Sequence, residues 1–409
     1  MIDQNLNREQ RQEIIERVLQ TFETRFYDPS LHGVDLRSLV RSRFEELLSA
    51  DDFAGSMAAM LAKTNSHPTD FFHEAERPVS LSRLAKATFF ATDRNRNPWM
   101  FQDVLVDGPA DRGGAKPGAI LLDVNGSNKP GCELPRASTT KPTTVYFQNP
   151  HSPPKSFMIE PVQLDTKRKR DTTRYLNYSK PEPNVGYIRI SMFPGVLGID
   201  ITKDTDRAVK ELKGTKSLIV DLRGNMGSAG AGNLRLMSYL TPDKVPVGYS
   251  LTRRRAEQGY KREDLARFER VPSSKLMAPF TLLRFRKVDK SIVVVTEGLG
   301  SKAFSGKKVM LVNEHTISGA EIVAGFAADH KLAVIVGTRT AGRTLSWSSL
   351  PVGHGYYMTI PIGNYLTWEG KSLEGTGVVP DVNVPFSPDA AVVGRDQQLE
   401  AAIKIAKSL

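Results

Sequence analysis

KKVMLVNEHTISGAEIVAGFAADH, residues 307–330, reads as a buried strand, a short turn and a helix, with Ser318 at the junction. The run KVMLVN is apolar and β-branched, and a helical rhythm begins at Ala320 and predicts a helix to His330. A hydroxyl at such a junction lies near the positive end of the helix dipole, where backbone donors are free and a developing oxyanion is stabilised. By itself a serine before a helix is ordinarily an N-cap. The neighbouring sequence decides between the two roles.

Working outward, VGYIRIS, SLIVDLR and AVIVG are further compact β-branched runs, and a helical pattern covers Asp204–Leu212. Strand and helix signals that alternate in this way predict an α/β layer with a mostly parallel sheet. The chain ends in RDQQLEAAIKIAKSL, a short amphipathic helix. At the other end, Ile14, Ile15, Val18, Leu19 and Phe22 have helical spacing, and the rhythm returns in Leu36, Leu39, Val40, Phe44 and Leu47. A third helix is expected over Phe53–Lys63, after Asp51-Asp52. From residue 78 to about 165 the pattern turns to short β-like runs broken by Gly, Pro and Asn. Three units are therefore expected: a helical region over 1–77, a β domain over 78–165 and an α/β core over 166–409. A chain of 409 residues exceeds what one hydrophobic core usually supports.

Bulk composition narrows the function classes. An apolar fraction of 40% and a charged fraction of 25% are ordinary for a globular protein. No apolar run approaches the roughly 18–20 residues that span a bilayer. The N-terminus shows no basic segment followed by an apolar one. A cytoplasmic location is expected if the chain is complete as given, and a periplasmic one if a signal peptide was trimmed. The single cysteine, Cys132, excludes an internal disulfide framework and reads as a bystander. The net charge of +11 is scattered, with tight clusters only at 167–171 (KRKRD) and 253–255 (RRR). Neither cluster is interleaved with stacking aromatics, so solvated surface charge is expected rather than a nucleic-acid interface. No HExxH set and no glycine loop leading into a phosphate-binding Lys-Ser/Thr is present, and neither a metal nor a cofactor is expected.

The string FQDVLVDGPADRGGAKPGAILLDVNG, residues 101–126, resembles the second half of a PDZ domain: strand, Gly-Pro-Ala turn, short helix, then a strand ending in Asn125-Gly126. PDZ modules bind a peptide as an added strand on an open sheet edge. NRNPWMF, residues 95–101, is the candidate binding loop, although the usual Gly-Leu-Gly-Phe signature is missing. A β domain that only packs against its neighbour is the plainer alternative.

SLIVDLRGNMGSAGAGN (217–233), followed by the TISGAEI run, resembles the catalytic core of the C-terminal processing (tail-specific) proteases and the related tricorn-type peptidases. VGYIRISMF, VIVGTRTAG and LEGTGVVPDV extend the likeness from about residue 10 to the C-terminus. The resemblance implies a ClpP/crotonase-like α/β core, with Ser318 attacking the scissile carbonyl. Backbone N–H groups near Gly227, less firmly Gly224, and at Gly319 would form the oxyanion hole. The same glycines could equally serve close packing. The implied partner is a polypeptide substrate, recognised by its C-terminal end; an oligomer is compatible with the sequence.

Many members of this family pair the serine with a lysine 25 positions later, and that position here is Arg343. A guanidinium stays protonated and cannot accept the serine proton. Ser66-His67, in LAKTNSHPTDFF, resembles the Ser-His pair of the tricorn-type Ser-His-Ser-Glu relay, with Glu374 of SLEGTGVVPDV as its carboxylate. By that resemblance His67 is the general base, Ser66 and Glu374 orient it, and Arg343 meets substrate or a carboxylate. His73 is the second choice. His354 could line the substrate cleft, His315 precedes the serine on the turn, and Asp329 reads as structural. The rival reading is a catalytically silent PDZ-containing scaffold that holds peptides.

Overall fold

The computed structural model describes residues 6–92, 99–126, 136–161, 173–194, 199–227, 230–272, 275–277, 283 and 291–409. Cys132, the 167–171 basic cluster and most of the expected 95–101 binding loop lie outside these residues. Within them the α/β alternation builds a sheet ordered Val382–Asn383, Val334–Gly337, Lys307–Val312, Ser217–Asp221, Val185–Ile190, Leu176–Glu182. All neighbours are parallel except the last pair, which is antiparallel. Strands inside a parallel sheet are covered on both faces, which is why Ser217–Asp221 is buried at every position.

The two faces follow the period of two along each strand. Ile188, Leu218, Val220, Met310, Val312 and Ile335 share one core with helices Ile199–Leu212, Gly230–Leu240 and Gly319–Asp329. Val185, Ile219, Val309, Leu311 and Val336 face the other way, against Ala402 and Ala406 of the C-terminal helix Gln397–Ser408. The helix expected over Ala320–His330 starts one residue earlier, at Gly319, directly after Ser318.

The N-terminal helices Arg8–Arg25, Leu36–Ser42, Phe44–Ser49 and Phe53–Ala62 have no closed core of their own. Ile14, Phe22, Phe53 and Met57 pack against Val352, Tyr356, Met358 and Ile360 of the hairpin Ser346–Gly353/Tyr356–Thr367. The single helical rhythm expected across 36–47 is two helices, interrupted at Arg43, whose φ of −125° leaves the helical range. Strand Asp70–His73 follows and pairs antiparallel with the same long strand, Asp70 opposite Thr359. The link 63–69, which carries Ser66 and His67, is therefore pinned at both ends.

Residues 87–159 form an antiparallel sheet of five strands, Ala87–Ala91, Trp99–Val104, Ile120–Val124, Thr143–Gln148 and Lys155–Ile159, around Phe89, Phe101, Leu121 and Phe147. Asn125 and Gly126 both take positive φ, 56° and 75°, but they turn the chain out of the sheet and do not close the expected hairpin, since Ile120–Val124 pairs with Thr143–Gln148 across residues 125–142. This unit touches the core beside the elbow. Gln102 Nε2 donates to Glu314 (2.9 Å), His315 Nε2 donates to the Phe89 carbonyl (3.0 Å), and Arg189 pairs with Asp103.

One charged network ties the sheet to the C-terminal helix. Arg223 donates to Asp221 Oδ2 at 2.7 Å and to both oxygens of Asp396 at 2.8 Å, and the Tyr187 hydroxyl donates to Asp221 at 2.8 Å. Burial pushes the Asp221 carboxyl up; the Arg223 and Arg189 guanidiniums and the Arg223 hydrogen bonds outweigh it, leaving a pKa of about 2. A carboxylate whose folded pKa lies below its unfolded value, about 3.9, adds stability above that value and loses it as pH falls. Chemical denaturation is thus expected to report falling stability from about pH 4 down to about 2. Asp221→Ala, which takes from the buried Arg223 one of its two carboxylate partners, should cost about 3 kcal/mol at neutral pH in the same measurement.

Candidate active site

Ser318 stands between strand Lys307–Val312 and helix Gly319–Asp329 at φ 56° and ψ −124°. A non-glycine residue in that region carries about 1–3 kcal/mol of strain and persists only where its surroundings over-determine it. Its N–H donates to the Arg343 carbonyl (2.9 Å) and to Glu321 Oε2 (3.2 Å). Ile317 N–H donates to the Asn225 carbonyl at 3.0 Å, fastening the turn to the glycine-rich loop.

Gly227 of that loop has φ +72°, and a Cβ built on it would lie 2.4 Å from Ser318 Cβ and 3.0 Å from Ser318 Oγ. Only a residue without a side chain fits there. The Gly227 N–H, expected in the oxyanion hole, donates to Asn225 Oδ1 at 2.8 Å. Asn225 in turn donates through Nδ2 to the Ile190 carbonyl at 2.6 Å, so this asparagine sets the loop's course. Gly224 sits against Thr88 and Asp103, and its N–H donates to Asn313 Oδ1 at 2.9 Å. Gly319 is the first residue of the helix, where a backbone N–H has no partner inside the helix.

Next to Arg343 opens a cleft of about 510 Å³ whose lining includes Ser66, His67, Arg343 and Glu374. Four residues separated by up to 308 positions in the chain thus meet in one place. His67 is exposed there. The relay between them is not assembled as expected. Ser66 Oγ lies 3.3 Å from His32 Nδ1 and donates to the Thr64 carbonyl at 3.3 Å. Glu374 Oε2 accepts from Thr344 N–H (2.6 Å) and Leu345 N–H (3.1 Å). Two backbone donors hold that carboxylate on the 344–345 backbone. Among the described residues no hydrogen bond joins His67 to Ser318. Arg343 projects an exposed guanidinium, and no carboxylate among the described residues lies within ion-pair distance of it.

The other histidines are elsewhere engaged. His73 Nδ1 accepts from Ala75 N–H at 3.2 Å, and its ring meets Tyr356 edge-on. His354 lies at the hairpin turn, 2.9 Å from Glu13, and does not line the cleft. Burial pushes the His315 pKa down, which suits a neutral ring donating to Phe89. Sequence reasoning missed two groups. His32, at positive φ, bridges Ser66 and the Tyr27 hydroxyl (2.7 Å), and burial with the charges of Asp28 and Glu374 pushes Tyr27 up to about 12. Glu321, in the N-terminal turn of the elbow helix, is fully buried, although a glutamate three residues after a serine reads as a surface capping box. Among the described residues no cluster of His, Cys, Asp and Glu could hold a metal ion, and no helix is long and apolar enough to cross a membrane.

Residues 184–384, which hold the strand ends, the glycine loop and the elbow, match the sequence model of peptidase family S41. These residues belong to that family. A carboxyl-terminal-processing protease of Picosynechococcus sp. is 24% identical to the chain over 392 residues, 90% of this chain and 82% of that protein. Another, from Synechocystis sp., is 22% identical over 313 residues, 74% of this chain but 63% of that protein. The solved photosystem II D1 C-terminal processing protease covers 97% of both chains with a TM-score of 0.60 at 17% identity, a likeness of fold. The S41 segment and its flanks thus share a mixed α/β architecture with N-terminal helices and β-sheet units.

Gly227→Ala should separate packing from chemistry at this S41 elbow. Its Cβ displaces Ser318, so modification of Ser318 by a fluorophosphonate should slow by about 10²-fold, as expected for a misplacement near 1 Å. The circular dichroism spectrum should stay unchanged.

Proposed function

We propose that this chain is a serine endopeptidase of the C-terminal processing type, cleaving polypeptides engaged near their C-terminal end, with Ser318 as nucleophile. The observation that carries the reading is the strained Ser318 turn, wedged against Gly227 and opening beside the cleft that gathers Ser66, His67, Arg343 and Glu374.

Ser318 Oγ attacks the scissile carbonyl carbon while its proton passes to the His67 imidazole. The imidazolium then gives that proton to the departing amine as the C–N bond breaks. Water, deprotonated by the same ring, hydrolyses the acyl-enzyme. The Gly319 N–H, and the Gly227 N–H once it leaves Asn225 Oδ1, receive the negative oxygen. Arg343 at the position of the family's lysine favours a histidine base and therefore the Ser-His-Ser-Glu branch. In that branch Ser66 and Glu374 turn towards His67 when substrate fills the cleft. Catalytic hydrogen bonds are often long or unaligned before substrate binds. The core is read as ClpP/crotonase-like. The sheet over 87–159 is read as a PDZ-like module that recruits the peptide as an added strand.

A silent peptide-holding scaffold is the second reading, favoured by the separate hydrogen bonds of Ser66 and Glu374. Labelling with a fluorophosphonate decides between them. The wild-type chain should label, Ser318→Ala should not, and His67→Ala should label about 10²–10⁴ times more slowly. An inert wild type that still binds C-terminal peptides would sink the enzyme.

A further inference from the structure

We propose that Glu321 is the positioning residue of this site: a buried anion that clamps the Ser318 turn to the 340–343 loop. The inference rests on the reading of Ser318 as the nucleophile. Glu321 Oε1 accepts from the Thr340 hydroxyl (2.6 Å) and Gly342 N–H (2.6 Å). Oε2 accepts from Arg343 N–H (2.7 Å) and Ser318 N–H (3.2 Å). Burying a carboxylate is costly unless its oxygens are satisfied. Here four donors fill the roughly four acceptor sites that an ionised carboxylate offers.

Three of the donors come from residues 340–343, well outside the helix that carries Glu321. The Ser318 N–H also donates to the Arg343 carbonyl at 2.9 Å, closing a ring through Ser318, Arg343 and Glu321. The clamp reaches further. The Thr340 hydroxyl oxygen accepts from Val378 N–H at 2.7 Å, and Gly375 N–H donates to the Gly342 carbonyl at 2.8 Å. Both contacts fall just after Glu374, at Gly375 and Val378. One carboxylate thus holds Ser318, Arg343 and the Glu374 loop in register.

Glutamine cannot replace it. Each oxygen of Glu321 faces two donors, so whichever way the amide of Glu321→Gln is turned, its NH₂ meets a pair of N–H or O–H groups. A capping box on an exposed helix would tolerate glutamine.

The test uses the full chain with three readouts: amide hydrogen exchange, the rate of Ser318 labelling by a fluorophosphonate, and steady-state cleavage of fluorescein-labelled casein. Glu321→Gln should raise exchange together in the elbow and in residues 339–345, slow labelling by about 10²-fold, and lower kcat with KM within about twofold. Thr340→Val supplies a milder break, expected to slow labelling by about tenfold, and Thr340→Ser, which keeps the hydroxyl, should recover most of that loss. Unchanged exchange in both Glu321→Gln and Thr340→Val overturns the clamp. So does wild-type labelling in both, or a Thr340→Ser variant as slow as Thr340→Val. If the wild type itself fails to label while exchange rises in the variants, the clamp stands and the hydrolase reading falls.

Discussion

A serine at φ 56° and ψ −124° relaxes unless every exit is blocked. Here the block is built from three directions. Gly227 presses on the side chain, the Asn225 carbonyl holds the preceding Ile317, and Glu321 with the Arg343 carbonyl share the serine's own N–H. The parallel sheet makes this affordable, because strands Ser217–Asp221 and Lys307–Val312 are adjacent and deliver the glycine loop and the elbow side by side. Ligands in open α/β sheets bind at the carboxyl ends of the strands for this reason.

Much of that frame was legible in the sequence. The β-branched runs named the strands of the parallel sheet, and the TISGAEI turn put the helix start within one residue of its observed place. Asn125-Gly126 marked a turn from two letters but not its strand partner, which begins only at Thr143. Local chemistry decides such features. The sharing of a core between the N-terminal helices and the Ser346–Thr367 hairpin was hidden, since helical spacing says which face is buried and nothing about its distant partner. The hydrogen bonds of the cleft were hidden for the same reason. Ser66 and Glu374 line one cleft, yet His32 and the Thr344–Leu345 backbone, unremarkable as letters, hold them. Glu321 shows the limit best, because one letter fits both a solvated cap and a buried anion.

The cleft's electrostatics follow from the exchange of lysine for arginine. A lysine desolvated beside a serine can shed its proton, whereas a guanidinium remains a permanent cation with a rigid fork of donors. An exposed cation at this position attracts carboxylates and peptide carbonyls instead of serving as a proton sink. On the proposed reading, proton transfer is assigned to the His67 imidazole, which lines the same cleft.

The pairing of Asp70–His73 with Tyr356–Thr359 has a bearing on biosynthesis. Ser66 and His67 are held in place by a strand partner that is made almost three hundred residues later. Contacts so far apart along a chain form late, after the intervening loop entropy has been overcome. A nascent chain on the ribosome would carry the helices, the antiparallel sheet and even the elbow serine without a complete cleft beside it. The Ser318 hydroxyl gains its full surroundings only after Tyr356–Thr359 has been made and has paired.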